Sequence, residues 1–211
     1  MNITEQMLDE LRRKIENKMS PKRFRHTAEV EKMAAYIGSI YAPEKIPVLR
    51  AAALLHDVTK EYSTEAHLKI CGQNGISLDR DAMFAPKTLH ARTAAALIPS
   101  EYPEFADDEI ISAVRWHTTG RADMTLTEKI IYLADYIDMS RTFEDCVMLR
   151  DYFMGEIPEK LEGIEKEKHL RLTLIMSFDL TINALTYDGL PISKDTVEAR
   201  NQLVCEELAA K

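Results

Sequence analysis

Apolar residues recur along this chain at spacings of three and four, with charged residues between them, while glycine and proline fall between the periodic runs. This pattern predicts helices throughout. The first runs over about 4–18, with Met7, Leu8, Leu11 and Ile15 on one face, and Asn2 with Glu5 three residues on forms its capping box. Pro21 opens a second helix whose inward stripe holds His26, Val30, Met33 and Ile37. A third starts at Pro47 and is apolar nearly all round up to Leu55, as a helix in the middle of a core must be. Ser63 or Thr64 caps a short helix ending near 72–75, and 74–86 reads as a loop. A helix over about 87–98 carries His90. Another begins at Asp107 or Asp108 and carries Ile110, Ile111, Val114 and His117. Thr125 with Glu128 makes a capping box ahead of Ile130 to Asp135. Two further helices, about 158–186 and 194–209, are joined by a turn over 187–191. No segment alternates as a strand does, and there is no repeat or linker. The expectation is an all-α bundle forming a single domain over 1–211.

Composition narrows the function classes. The 211 residues carry a formal charge of −8, which excludes the basic face of a nucleic-acid polymer binder but permits a small polyanionic substrate held by a few local cations. Cys71, Cys146 and Cys205 form no CxxC pair, so a zinc ribbon or thioredoxin motif is excluded, and reduced thiols in a cytoplasmic protein are expected. The start of the sequence lacks a signal-peptide pattern, and no apolar run is long enough to cross a bilayer, so no membrane partner is expected.

Histidine placement adds the chemistry. Of six histidines, His26, His56, His90 and His117 each lie at an apolar helix, and His56 is followed at once by Asp57. A lone histidine on such a face is ordinarily a satisfied core residue, and an aspartate after a helix is ordinarily part of a turn. Four together, with Asp57 and Asp135, point instead to a metal site in the interior of the bundle. Imidazole and carboxylate donors without thiolate suit Fe, Mn, Zn, Ni or Co. Six such ligands suffice for two ions with one carboxylate bridging, a recurring device for phosphate ester hydrolysis. His67 and His169 sit in charged, polar stretches and read as surface residues.

The order His26, His56-Asp57, His90, His117, Asp135 resembles the HD-domain metal-dependent phosphohydrolases. The stretches Arg23-Phe24-Arg25-His26-Thr27, Leu54 to Lys60, Leu89-His90-Ala91, His117-Thr118-Thr119-Gly120-Arg121 and Glu128 to Ile137 resemble, more closely, the YqeK-type symmetrical bis(5'-nucleosyl)-tetraphosphatase branch. The likeness covers about residues 20–150, which would be the metal-ligand core. The helices over about 158–209 would complete the fold and contribute to the nucleotide pocket. The resemblance implies a di-iron centre, with Mn or another divalent metal as the alternative. It places His26, His56, Asp57 and Asp135 on one ion, His90 and His117 on the other, and Asp57 as bridge. It also implies hydrolysis of diadenosine tetraphosphate to two ADP, a metal-bound hydroxide attacking a β-phosphorus. Asp57 and Lys60 are then the expected catalytic residues. Arg23, Lys60, Thr118, Thr119, Gly120, Arg121 and Arg141 are the expected substrate contacts, Lys60 foremost. The chain departs from the family pattern at Arg92 and at Asp138-Met139-Ser140, ahead of Arg141. Three other readings stay open: an HD phosphohydrolase acting on another nucleotide, a di-iron oxygenase using a similar ligand set, and a non-catalytic nucleotide sensor.

Overall fold

The computed structural model describes residues 2–210, among which every regular element is helical. Its eleven α-helices are α1 (Glu5–Glu16), α2 (Pro21–Tyr41), α3 (Ile46–Leu55), α4 (Thr64–Gln73), α5 (Arg80–Phe84), α6 (Leu89–Glu101), α7 (Asp108–Trp116), α8 (Leu126–Ile137), α9 (Glu144–Gly155), α10 (Gly163–Tyr187) and α11 (Lys194–Ala209). Short 3-10 turns precede α3, α6, α7 and α10.

α3 occupies the centre, packed against α1, α2, α7 and α8. This explains why its apolar residues are not confined to one stripe: Leu49, Leu54 and Leu55 are all fully buried among different neighbours. α2 comes close to it at Gly38, where a Cβ would stand 2.5 Å from Leu49 Cδ1. Glu31 on α2, itself buried, accepts from Arg12 of α1 at 2.7 Å and from Arg50 of α3 at 2.9 Å, tying the three helices at one end. At the other end α3 stops at His56, and the chain turns through 57–62. The ends of α3 and α7, the starts of α6 and the last turns of α8 therefore open toward one spot in the interior.

Several boundaries differ from expectation. α1 is capped by Thr4, whose hydroxyl accepts from the Met7 N–H, so Asn2 and Glu5 form no capping box. The expected loop over 74–86 contains α5, capped by Asp79. α9 was not foreseen. The helix expected from 158 begins as a 3-10 turn, Pro158–Lys160, before α10 proper. The Thr125–Glu128 capping box is present with both of its hydrogen bonds.

His67 and His169 are not surface residues. His67 is buried with Nδ1 2.9 Å from Thr93 Oγ1, and burial lowers its pKa. His169 is buried with Nε2 donating to Phe153 O at 3.0 Å and its ring stacked on that of Phe153. Their partners lie on other helices, so the polar residues beside them in sequence were no guide to burial.

Candidate metal centre

Five elements bring the six candidate ligands together. His26 comes from the first turns of α2, His56 and His117 from the C-caps of α3 and α7, His90 from the first turn of α6, and Asp135 from the last turn of α8, with Asp57 directly after α3. Each histidine is aimed by its other ring nitrogen. His56 Nδ1 donates to Ala53 O at 2.6 Å, His90 Nδ1 to Lys87 O at 2.7 Å and His117 Nδ1 to Val114 O at 2.7 Å. A carbonyl cannot donate, so the proton of each neutral ring is on Nδ1 and the Nε2 lone pair faces inward. His26 Nδ1 faces a carboxylate instead, Asp138 Oδ2 at 3.2 Å.

Asp57 lies between two histidine pairs. Its Oδ2 is 3.4 Å from His56 Nε2 and 3.8 Å from His26 Nε2, and its Oδ1 is 3.2 Å from His90 Nε2 and 3.8 Å from His117 Nε2. Asp135 Oδ1 approaches His26 Nε2 at 2.9 Å and His56 Nε2 at 3.8 Å. Three-residue sets with mutually close donor atoms include His26–His56–Asp57 and Asp57–His90–His117, and also His56–His117–Asp135, which spans the two.

The side chains are arranged as a cation would require. His56 Nε2 and Asp57 Oδ1 are buried polar atoms without a hydrogen-bond partner, a costly state unless something else satisfies them. His90 Nε2 and His117 Nε2 face each other at 2.9 Å with both protons committed to Nδ1, so two lone pairs converge. Nitrogen and oxygen donors without sulfur fit a divalent first-row ion.

The protonation pattern agrees. Burial pushes His90 down to about 4 and lowers His117, leaving both neutral. Burial also opposes charge on His26, but the hydrogen bonds it donates to Asp135 and Asp138 prevail and raise it to about 9. Burial works against Asp57 as an anion, yet its carboxyl is held well below the usual range. For Asp135 the opposing force is chiefly the Arg141 charge.

The expected cations fall into different positions. Lys60 Nζ lies 3.1 Å from His90 Nε2 and 3.9 Å from Asp57 Oδ1, and burial lowers its pKa. Arg23 Nη1 donates to Asp57 Oδ2 at 2.7 Å and Arg141 Nη2 to Asp135 Oδ1 at 2.6 Å, so both touch carboxylates of the candidate ligand set directly. Arg121 turns away, pairing with buried Glu128 at 3.1 Å, which anchors the 118–121 turn to α8. Thr118 Oγ1 lies 3.1 and 3.0 Å from the Nε2 atoms of His90 and His117. Thr119 is buried, its carbonyl accepting from Thr196 of α11 at 2.8 Å. Gly120 has a φ of +62° and packs on Phe178, where a Cβ would meet the ring at 2.6 Å. Arg92 lies 3.8 Å from Asp79.

Two supporting residues were missed by sequence reasoning. Asp138 is fully buried and links His26 to Ser140, which donates to it through both its N–H and its hydroxyl. Thr59 donates to His90 O at 2.9 Å, joining the turn after Asp57 to α6. Their signal was position alone, three residues past Asp135 and two past Asp57.

Two chambers lie beside the cluster. One, about 400 Å³, lies between the α5 segment and the turn joining α10 to α11. The other, about 390 Å³, lies between α8 and the start of α9 and includes His117 and Asp135 in its wall. Lys60, Thr118 and Thr181 line both. A smaller recess of about 240 Å³ by Tyr62 and His67 also meets Lys60 and His90.

Residues 23–140, the segment that holds all six candidate ligands, match the HD domain. The chain belongs to the HD-domain family. It is 31% identical over 184 residues to a Staphylococcus aureus protein named bis(5'-nucleosyl)-tetraphosphatase, symmetrical, covering 85% of this chain and 93% of that one. A Bacillus subtilis protein of the same name is 30% identical over 193 residues, with 90% and 94% covered. Among solved structures, a predicted HD superfamily hydrolase involved in NAD metabolism, from Clostridium acetobutylicum, superposes with a TM-score of 0.79 at 31% identity, covering 94% of this chain and 97% of that one. These relatives bear out the resemblance drawn from the motifs and the reading of the chain as a hydrolase. Among the described residues no helix is long and apolar enough to cross a membrane.

Proposed function

We propose that this HD-family hydrolase cleaves dinucleoside tetraphosphates symmetrically, releasing two nucleoside diphosphates. Diadenosine tetraphosphate, giving two ADP, is the substrate we assign. The observation that carries the reading is Asp57, whose two carboxylate oxygens face separate histidine pairs while Lys60 stands beside one of them. Relatives named for this activity over nearly their whole length support the substrate class. His26, His56, Asp57 and Asp135 would hold one ion, and His90 and His117, with Asp57 shared, the other. Iron is our assignment, and Mn fits the same donors. When bound, such a pair supplies an activated water and neutralises phosphoryl charge.

The remaining roles fall to the chain itself. Hydrolysis forms one bond from water oxygen to a β-phosphorus and breaks the bridging P–O bond at the centre of the tetraphosphate. The departing ADP takes up negative charge. Lys60, which lines both chambers, donates to the phosphate oxygens where that charge develops, and Thr118 adds a hydroxyl at the same place. Arg23 and Arg141 hold Asp57 and Asp135 ionised and oriented, and so act through the ligands. Arg121 fixes the 118–121 turn and does not reach the phosphates.

The test is anaerobic incubation of iron-loaded protein with diadenosine tetraphosphate, products separated by ion exchange and metal counted on the same sample. ADP as the sole product with about two metals per chain is expected. AMP and ATP would overturn the assigned point of attack, and oxygen-dependent loss of substrate would replace hydrolysis with oxygenation. Asp57→Ala is expected to lose both metal and turnover. Lys60→Ala is expected to keep its metal and lose kcat by about 10²–10³-fold, the cost of one donor aimed at developing charge. Metal loss in Lys60→Ala would show that Lys60 supports the cluster and not the substrate.

A further inference from the structure

The two chambers share Lys60, Thr118 and Thr181, and the rest of their walls are alike in kind though built from different segments. The first has the exposed ring of Phe84 at its mouth, apolar walls from Leu185, Leu190 and Pro191, and carboxylates from Asp79 and Asp81. The second has the exposed ring of Phe143 at its mouth, with Tyr136 and the carboxylate of Asp145 also in its wall. Both volumes fall in the range of about 300–1,000 Å³ typical of small-ligand pockets. Phe84 and Phe143 are each 67% exposed, although solvent-facing phenylalanine gains nothing for folding. A ring at the mouth of a chamber offers a flat apolar face. A carboxylate beside it accepts from an amino group or a vicinal diol. Cations line both chambers: Lys60 is shared, Lys87 and Arg92 belong to the first and Arg141 to the second. An aromatic face, an acceptor and a cation in one chamber match base, ribose and phosphate.

We propose that each chamber holds one nucleoside diphosphate half, with Phe84 stacking on the base in the first and Phe143 on the base in the second. The choice of nucleotide rests on the function proposed above, while the geometry of two aromatic-capped chambers sharing Lys60 and Thr118 stands without it. Met83 and Met139 serve as internal controls. Met83 directly precedes Phe84 and Met139 lies in the stretch leading to Phe143; both are exposed, at 66% and 60%, yet neither lines a chamber.

The experiment is equilibrium titration of the metal-loaded full chain with ADP, counting ADP bound per chain. Wild type is expected to bind two. Phe84→Ala and Phe143→Ala are each expected to weaken one of the two sites about tenfold, the size of a lost base–aromatic stack, and to leave the other unchanged. Met83→Ala and Met139→Ala should bind as wild type does. All four side chains are exposed, so none of the changes opens the core. One ADP per wild-type chain would overturn the two-chamber arrangement. Two ADP with both phenylalanine variants unaltered would overturn the stacking roles. Turnover of diadenosine tetraphosphate by the same wild-type sample separates this proposal from the assigned function. Two ADP bound without turnover would remove the hydrolase assignment and keep the chambers, and turnover with one ADP bound would do the reverse.

Discussion

His26 differs from the other three cluster histidines in what holds its Nδ1: a carboxylate, Asp138, in place of a carbonyl. That difference has a measurable consequence. His90 at about 4 and the likewise lowered His117 present lone pairs at neutral pH with no proton to lose. His26, raised to about 9, must give up a proton before its Nε2 can bind a cation. Metal affinity is therefore expected to rise with pH, by about tenfold per unit for one displaced proton, and to level off near pH 9. The same raised pKa stabilises the metal-free protein, fully below the ordinary histidine value of 6.5 and progressively less as pH rises to about 9. Asp138→Asn removes one of the two charges responsible, so the plateau should begin at lower pH. With the His26 ring less firmly aimed, affinity at the plateau should fall about 10–100-fold. Calorimetric titration with Mn²⁺ across pH 6–9.5 reads both effects, and identical profiles for the two proteins would show that Asp138 does not govern His26. The candidate ligands were legible in the sequence because each lies on the apolar stripe of a helix or at its end. Asp138 was not, because it follows the helix among polar residues and only its burial shows that it faces inward.

Elements whose amphipathic stripe is long were legible, and elements positioned by distant contacts were not. α5 has five residues, too few for a periodic signal, and its only local sign is the Asp79 cap. α9 buries Cys146, Leu149 and Phe153 along a thin stripe among charged residues, so its facing surface is supplied by α8 and α10. The turn between α7 and α8 illustrates the same limit. Gly120 reads as a turn residue in the sequence, but its contact with Phe178 of α10, 58 positions on by their numbers, is visible only in the fold. An alanine there would need a left-handed backbone and would press its Cβ to 2.6 Å from the Phe178 ring. Gly120→Ala is expected to cost about 1–3 kcal/mol of stability and to shift Thr118 away from the cluster. Urea denaturation checks the first part. The second requires a fall in kcat with metal content intact. Unchanged stability would mean that α10 yields to the extra carbon freely.

At the scale of the molecule, the candidate ligands are contributed by α2, α3, α6, α7 and α8, of which α2, α7 and α8 pack directly against α3. Two forces thus act on the same arrangement. The buried apolar core around Leu49, Leu54 and Leu55 assembles the bundle without reference to any ion. A cation bound at the centre then favours the folded chain alone, because unfolding scatters ligands that lie as far apart in sequence as His26 and Asp135. Removing metal is accordingly expected to leave the helices formed and to lower the melting temperature. With free metal at about a thousand times its Kd the linkage amounts to about 4 kcal/mol, or roughly 10 °C for a chain of this size. Circular dichroism melts with excess Mn²⁺ and with chelator check this. Asp57→Ala should melt alike in both, since it removes the carboxylate that faces both histidine pairs. A wild-type protein that melts at one temperature in both would show that the cluster is held by its own ion pairs, Arg23 with Asp57 and Arg141 with Asp135, and that no cation is part of the folded structure. A wild-type protein that loses its helical signal on chelation would show instead that the apolar core is too weak to assemble alone.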